Sequence, residues 1–131
     1  MKREMLRAKI HRITVTERNV EYDGSLTLDR DLIERAEMLP FERVEVYNIG
    51  NGNRFATYVI EGERGSGTCC VNGAAAHQVE VGHKLIIASY AALEEADARR
   101  HVPRIVLVDG RNRARKTEHT ETHGMKHGVG G

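Results

Sequence analysis

Glu42-Arg43-Val44-Glu45-Val46-Tyr47-Asn48 and Arg54-Phe55-Ala56-Thr57-Tyr58-Val59-Ile60, joined through Asn51-Gly52, form the stretch that decides the fold. In the first run apolar residues alternate with charged ones, the period of a strand with one buried face. Asn-Gly tolerates positive φ and suits the turn between antiparallel strands. The two runs therefore predict a β-hairpin. Outward from it, Ile10, Ile13 and Val15 among His11, Arg12, Thr14 and Thr16 predict an extended strand with one break in its register. Residues 68–71, 84–90 and 104–108 predict further strands. Helical spacing is rarer. Residues 29–38 carry Leu32, Ile33 and Ala36, with Thr27 or Asp29 as cap and Pro40 as stop. Residues 73–77 suit one small-residue turn, and residues 91–99 are a third helical candidate. Many short strands with few helices predict a mainly β protein, a small barrel that closes its own edges.

The chain has 131 residues, which fits one domain with its own core. Its net charge of +1 with neutral histidines offers no global basic field, so no nucleic-acid partner is expected. No run approaches the roughly 20 apolar residues that cross a bilayer. The first residues lack the apolar core of a signal peptide. The expectation is a cytoplasmic protein with no membrane partner. Cys69 and Cys70 are adjacent, so on a strand they point to opposite faces and are expected as reduced thiols. Past Gly110 the chain turns basic, then polar and glycine-rich. The reading is one domain over residues 1–115 and a disordered tail over residues 116–131.

Chemistry concentrates in a few places. Tyr22-Asp23-Gly24-Ser25 taken alone reads as a turn, though glycine before serine has no side chain to block attack on its carbonyl by the serine hydroxyl. Attack by Ser25 on the carbonyl of Gly24 would turn the amide into an ester, and Thr57 is a candidate donor to the carbonyl oxygen. Arg54 can hold a carboxylate with two parallel hydrogen bonds, and Lys9 can add a second positive charge. Asn72-Gly73-Ala74-Ala75-Ala76-His77 carries little side chain, so its backbone N–H groups can approach a ligand closely. Thr57 and Tyr58 should face opposite sides of a regular strand. A bulge, a twist or two different subunits would be needed to bring both into one site.

Lys9-Ile10-His11-Arg12, Tyr22-Asp23-Gly24-Ser25, Arg54, Thr57-Tyr58 and Asn72-Gly73-Ala74-Ala75-Ala76-His77 agree in order and spacing with one family. Over about residues 1–110 the chain resembles the pyruvoyl-dependent aspartate α-decarboxylases. That resemblance implies a six-stranded double-psi β-barrel with a few short helices. It implies self-cleavage between Gly24 and Ser25, assisted by Thr57, leaving a covalent pyruvoyl group derived from Ser25 as the cofactor. It implies Ser25 and Tyr58 as catalytic residues, with Tyr58 returning a proton to Cα. L-Aspartate would be bound by Lys9, Arg54, Thr57, Gly73, Ala74 and Ala75, with His11, Tyr22 and Asn72 in support. The product would be β-alanine, for pantothenate and coenzyme A synthesis. The family assembles as a homotetramer with sites between subunits, and an accessory maturation protein is a further candidate partner. Tyr47 departs from members that carry tryptophan there.

Competing readings are weaker. His119, His123 and His127 recur every four residues, but the glycines of the tail break the helix that would align them, so no metal is expected. A Ser25 hydrolase with His11 or His77 as base lacks an acidic third partner. A non-catalytic barrel that binds a small ligand is the alternative from another class.

Overall fold

The computed structural model describes residues 1–122. The expected hairpin is present. β4 (Arg43–Asn48) and β5 (Arg54–Gly62) pair antiparallel, with Val44 opposite Thr57 and Tyr47 opposite Arg54. Val44 and Val46 are buried, while Arg43 is exposed. The remaining strands are β1 (Lys2–Thr14), β2 (Glu17–Asn19), β3 (Ser25–Asp29), β6 (Cys69–Asn72), β7 (Lys84–Glu94), β8 (Arg104–Val108) and β9 (Ala114–Glu118). They are hydrogen-bonded in the order β2-β6-β3-β5-β4-β7-β1-β8-β9. The fold is mainly β, as expected. Nine strands are described, where the resemblance implied six for the barrel.

Residues from opposite halves of this ladder are tied together. Thr16 N donates to the Cys69 carbonyl at 2.9 Å, and Cys69 N donates to Thr16 Oγ1 at 2.8 Å. Asn112 is buried and bridges the two sides, accepting from Thr14 N at 2.9 Å and donating to the Gly67 carbonyl at 2.8 Å. These ties are consistent with a small barrel. Inside lie Ile10, Ile13, Leu26, Leu28, Val44, Val46, Val59, Val71, Leu85 and Ile87. The break expected in the first strand falls at Arg12, which has φ 65°, and the β1–β7 register shifts between His11 and Ile13. That bulge keeps Ile10 and Ile13 on one buried side although their spacing is odd.

Two helices are shorter than their sequence pattern suggested. α1 spans Arg30–Arg35, capped by the Asp29 carboxylate on Asp31 N at 2.9 Å. The same carboxylate accepts from Gly65 N and Gly67 N at 3.0 and 2.9 Å, so it also fixes the β5–β6 loop. Residues 91–99 are not helical throughout. Residues 91–94 extend β7, with Met5 opposite Ala91 and Lys2 opposite Glu94, and α2 covers only Glu95–Arg100. The long β1 offers residues 91–94 a ladder of hydrogen bonds, and this outweighs the helix propensity of Ala91 and Ala92. Gly73–Gln78 forms a short 3-10 helix. At the C-terminal side, β9 carries regular structure past residue 116 to Glu118, so the expected disordered tail does not begin at 116. Its strand pairs with β8, Ile105 opposite Glu118.

Candidate active site

Strand pairing builds the first half of the site. β3 runs antiparallel to β6 with Ser25 opposite Asn72 and Thr27 opposite Cys70, so these four side chains share one face. Asn72 Nδ2 donates to Ser25 Oγ at 3.0 Å and to Thr27 Oγ1 at 3.1 Å. Cys70 Sγ donates to Asn72 Oδ1 at 3.2 Å. Ser25 Oγ in turn donates to the Asp23 carbonyl at 3.4 Å. Ser25 is only 4% exposed and Asn72 3%, so these hydrogen bonds are made largely away from water.

The backbone explains why Gly73 follows Asn72. Its φ is 72°, and a Cβ there would lie 2.6 Å from Gly24 Cα, 2.7 Å from Gly24 N and 3.0 Å from the Tyr22 carbonyl oxygen. Only glycine accepts both the left-handed backbone and this approach. The Tyr22–Ser25 turn is thus seated directly on Gly73. The Tyr22 side chain points outward and is 63% exposed. Ala74 is exposed and Ala75 half-buried on the short helix that follows.

β5 brings the next residues. It runs parallel to β3 with Leu26 opposite Val59, so Ser25 and Tyr58 are the residues immediately before that pair. Thr57 is half-buried on the inner side and Tyr58 is exposed, as strand alternation requires. Both nevertheless border one open hollow, together with Phe41, Arg43 and Ala56. Thr57 and Tyr58 thus share one rim although they point to opposite sides of the strand. Among the described residues, the side chain bonded to Ser25 is Asn72 and not Thr57. Phe41, which sequence reasoning missed, sets its ring 6.3 Å from that of Tyr58.

The cationic residues that the sequence singled out, Arg54 and Lys9, lie elsewhere. Arg54 is four residues from Tyr58 on the same strand, about 13 Å away at the rise of an extended chain. Its guanidinium sits 4.5 Å from the centre of the Tyr47 ring, and Tyr47 shares a 2.8 Å hydrogen bond with the hydroxyl of Tyr90. Burial, and then the Tyr47 hydroxyl, push the Tyr90 phenol up to about 12. Lys9 and His11 stand on β1, opposite Ala88 and Ile86 of β7, which in turn face Glu45 and Tyr47 of β4. Lys9 Nζ pairs with Glu121 Oε2 at 2.5 Å. Within one chain, then, Gly24, Ser25, Asn72 and Gly73 come together, Tyr58 stands on the strand beside Ser25, and Thr57 and Tyr58 line a hollow of their own. Lys9, His11 and Arg54 form a second group across the sheet.

Comparison with known proteins shows the family. A family model described as aspartate decarboxylase matches residues 1–115. The chain belongs to the aspartate decarboxylase family. Aspartate 1-decarboxylase of Caldicellulosiruptor saccharolyticus is 53% identical over 120 residues, covering 92% of this chain and 94% of the relative. That of Pelotomaculum thermopropionicum is 52% identical over 120 residues, covering 92% and 91%. That of Ralstonia nicotianae is 48% identical over 116 residues, covering 88% and 97%.

Thr27 and Cys70, which sequence reasoning did not single out as site residues, both contact Asn72. Period-two alternation from Ser25 points to Thr27, but Cys70 needs the register of β3 on β6. His123 and His127 lie outside the described residues. Among the described residues, no group of three or more His, Cys, Asp or Glu is disposed to hold a metal. No described helix is long and apolar enough to cross a membrane.

Proposed function

We propose that this chain is an aspartate 1-decarboxylase that forms β-alanine and carbon dioxide after cutting itself between Gly24 and Ser25. The observation that carries the reading is the seating of Gly24 on Gly73 beside a buried Ser25 whose hydroxyl is held by Asn72. A loop clamped in this way limits the Gly24 carbonyl to few positions, which favours attack by a neighbouring hydroxyl. The Ser25 oxygen bonds to the Gly24 carbonyl carbon and the Gly24–Ser25 amide breaks, leaving an ester and a free amine on Ser25. Removal of the Ser25 Cα proton then expels the Gly24 carboxylate. Water replaces the nitrogen of the resulting dehydroalanine, releasing ammonia and leaving the pyruvoyl group.

Residues at the cleavage point fit that group. Asn72 Nδ2 donates to the Ser25 oxygen and to Thr27 Oγ1, and Gly73, having no side chain, lets the backbone of Gly24 pack directly against it. The pyruvoyl group supplies the electron sink needed when an α-carboxylate leaves as carbon dioxide. Tyr58, one residue before the partner of Leu26, is the proton donor to Cα, at the rim it shares with Thr57. Arg54 and Lys9 select a substrate with a second carboxylate.

Arg54 lies about 13 Å along the strand from Tyr58 of the same chain, so one chain alone holds this cation apart from its own Tyr58. A homotetramer with sites between subunits meets this demand: Lys9, His11 and Arg54 of one copy face Ser25 and Tyr58 of the next. The product, β-alanine, suits a cytoplasmic role in pantothenate and coenzyme A synthesis. An accessory maturation protein would act on the Tyr22–Ser25 turn, whose Tyr22 is exposed.

The test is Tyr58→Phe. Cleavage should proceed, and β-alanine formation per pyruvoyl group should fall about 10²–10⁴-fold, the range for loss of a general acid. Undiminished turnover in cleaved Tyr58→Phe enzyme would remove Tyr58 from the reaction.

A further inference from the structure

The thiol of Cys70 has no part in the chemistry described above, yet it touches the amide that holds Ser25. Cys70 is 6% exposed, and its sulfur lies 3.2 Å from Asn72 Oδ1. The other end of that amide, Nδ2, donates to Ser25 Oγ and to Thr27 Oγ1. A hydroxyl can donate or accept. Ser25 and Thr27 would therefore be satisfied equally well if the Asn72 amide were turned over. Only the contact on the far side distinguishes the two orientations. A thiol is a donor first and a poor acceptor, so it favours the oxygen of Asn72 on its side.

We infer that Cys70 is a positioning residue for self-cleavage, fixing the Asn72 amide so that its N–H, and not its oxygen, faces Ser25. The consequence for Ser25 is directional. With Nδ2 donating to it, Ser25 Oγ keeps its own proton turned toward the Asp23 carbonyl, at 3.4 Å. With the amide reversed, Oδ1 would accept that proton, and no N–H would face Ser25 Oγ to steady the charge it gains as it loses the proton. The thiol is suited to the task because it remains protonated. Burial, and then the carboxylate of Glu17, its Cα partner on β2, push its pKa up. Glu17 is a second acceptor near this sulfur, and the thiol's one proton is the one given to Asn72 Oδ1.

This inference rests on the self-cleavage reading, and the experiment separates the two. Uncleaved wild type, Cys70→Ser and Cys70→Ala are isolated soon after synthesis, and their conversion to two fragments is followed by gel electrophoresis at one temperature. Serine and alanine both give up the volume of sulfur, but serine keeps a donor. Cys70→Ser should cleave within about twofold of wild type, whereas Cys70→Ala should slow about threefold to tenfold. In an Asn72→Ala background, Cys70→Ala should cause no further slowing. Equal slowing by serine and alanine would assign Cys70 to packing and overturn the inference, as would unchanged cleavage in Cys70→Ala. Urea unfolding of the same substitutions in a Ser25→Ala chain checks the fold. If wild type itself never splits, the self-cleavage reading fails, and this inference fails with it.

Discussion

Gly73→Ala perturbs the point where the Tyr22–Ser25 turn rests on the short helix after β6. The new Cβ would lie 2.6 Å from Gly24 Cα, where ordinary contact begins at 3.4 Å, so the loop must retreat by about 0.8 Å. Alanine must also hold the φ of 72° found at this position, which costs about 1–2 kcal/mol. Crowding in a packed site adds about 1–3 kcal/mol. Together these should destabilise the uncleaved chain by about 2–5 kcal/mol, a large share of a typical domain's total stability. After cleavage the Gly24 end is free to move, so only the backbone cost of about 1–2 kcal/mol should remain. The assay is urea unfolding of Gly73→Ala in two forms: uncleaved in a Ser25→Ala background, and cleaved where it forms. In parallel, self-cleavage is timed on gels. A displacement of about 1 Å at a reacting pair can cost on the order of 10²-fold, so cleavage should slow by one to two orders of magnitude. Unchanged stability and unchanged cleavage together would refute the idea that the loop is seated on Gly73.

Other outcomes follow from the same geometry. Arg54→Lys keeps the charge but loses the planar stack on Tyr47, so KM for aspartate should rise. Arg54→Ala should lose about 1.5–3 kcal/mol, or roughly 10- to 100-fold in kcat/KM normalised to pyruvoyl content. Burial raises the Asp29 pKa, but the N–H groups of Gly67, Asp31 and Gly65, with Arg113, outweigh it and hold the carboxyl below its ordinary value. Its contribution to stability is therefore complete above about pH 4, the unfolded value, and is lost as pH falls through the lower folded value. Asp29→Asn should lower the urea midpoint at pH 7 and flatten its decline below pH 4. A chain ended after Glu118 keeps β9 and should fold and self-cleave normally by circular dichroism and gels. One ended after Arg113 removes β9 (Ala114–Glu118), uncovers the β8 edge and should aggregate.

The hairpin of β4 and β5 was legible because each residue's face is set by period-two alternation, and Asn51-Gly52 supplies the turn. The bulge at Arg12 was legible as a lapse in that alternation. β9 was not, because an edge strand exposed on one side, Ala114-Arg115-Lys116-Thr117-Glu118, has little need of apolar residues. The extension of β7 through residues 91–94 was hidden too, since only pairing with Met5 and its neighbours on β1 makes it a strand. The site divides in the same way. Gly24, Ser25, Gly73 and Arg54 stand out by residue type and spacing. The contacts of Thr27 and Cys70 with Asn72 depend on the register of β3 on β6, a long-range fact that local pattern does not carry. The left-handed φ of 72° at Phe41, whose ring is 75% exposed beside Tyr58, is likewise a property of the fold and not of its local sequence.

The most direct test of the central claim is the intact mass of the purified protein, measured together with β-alanine formation from aspartate. The account predicts two fragments, one ending at Gly24 and one beginning with a pyruvoyl group in place of Ser25, with activity proportional to the pyruvoyl-bearing fragment. Ser25→Ala should give one full-length mass and no β-alanine. Full activity in a chain that retains Ser25 unsplit would contradict it.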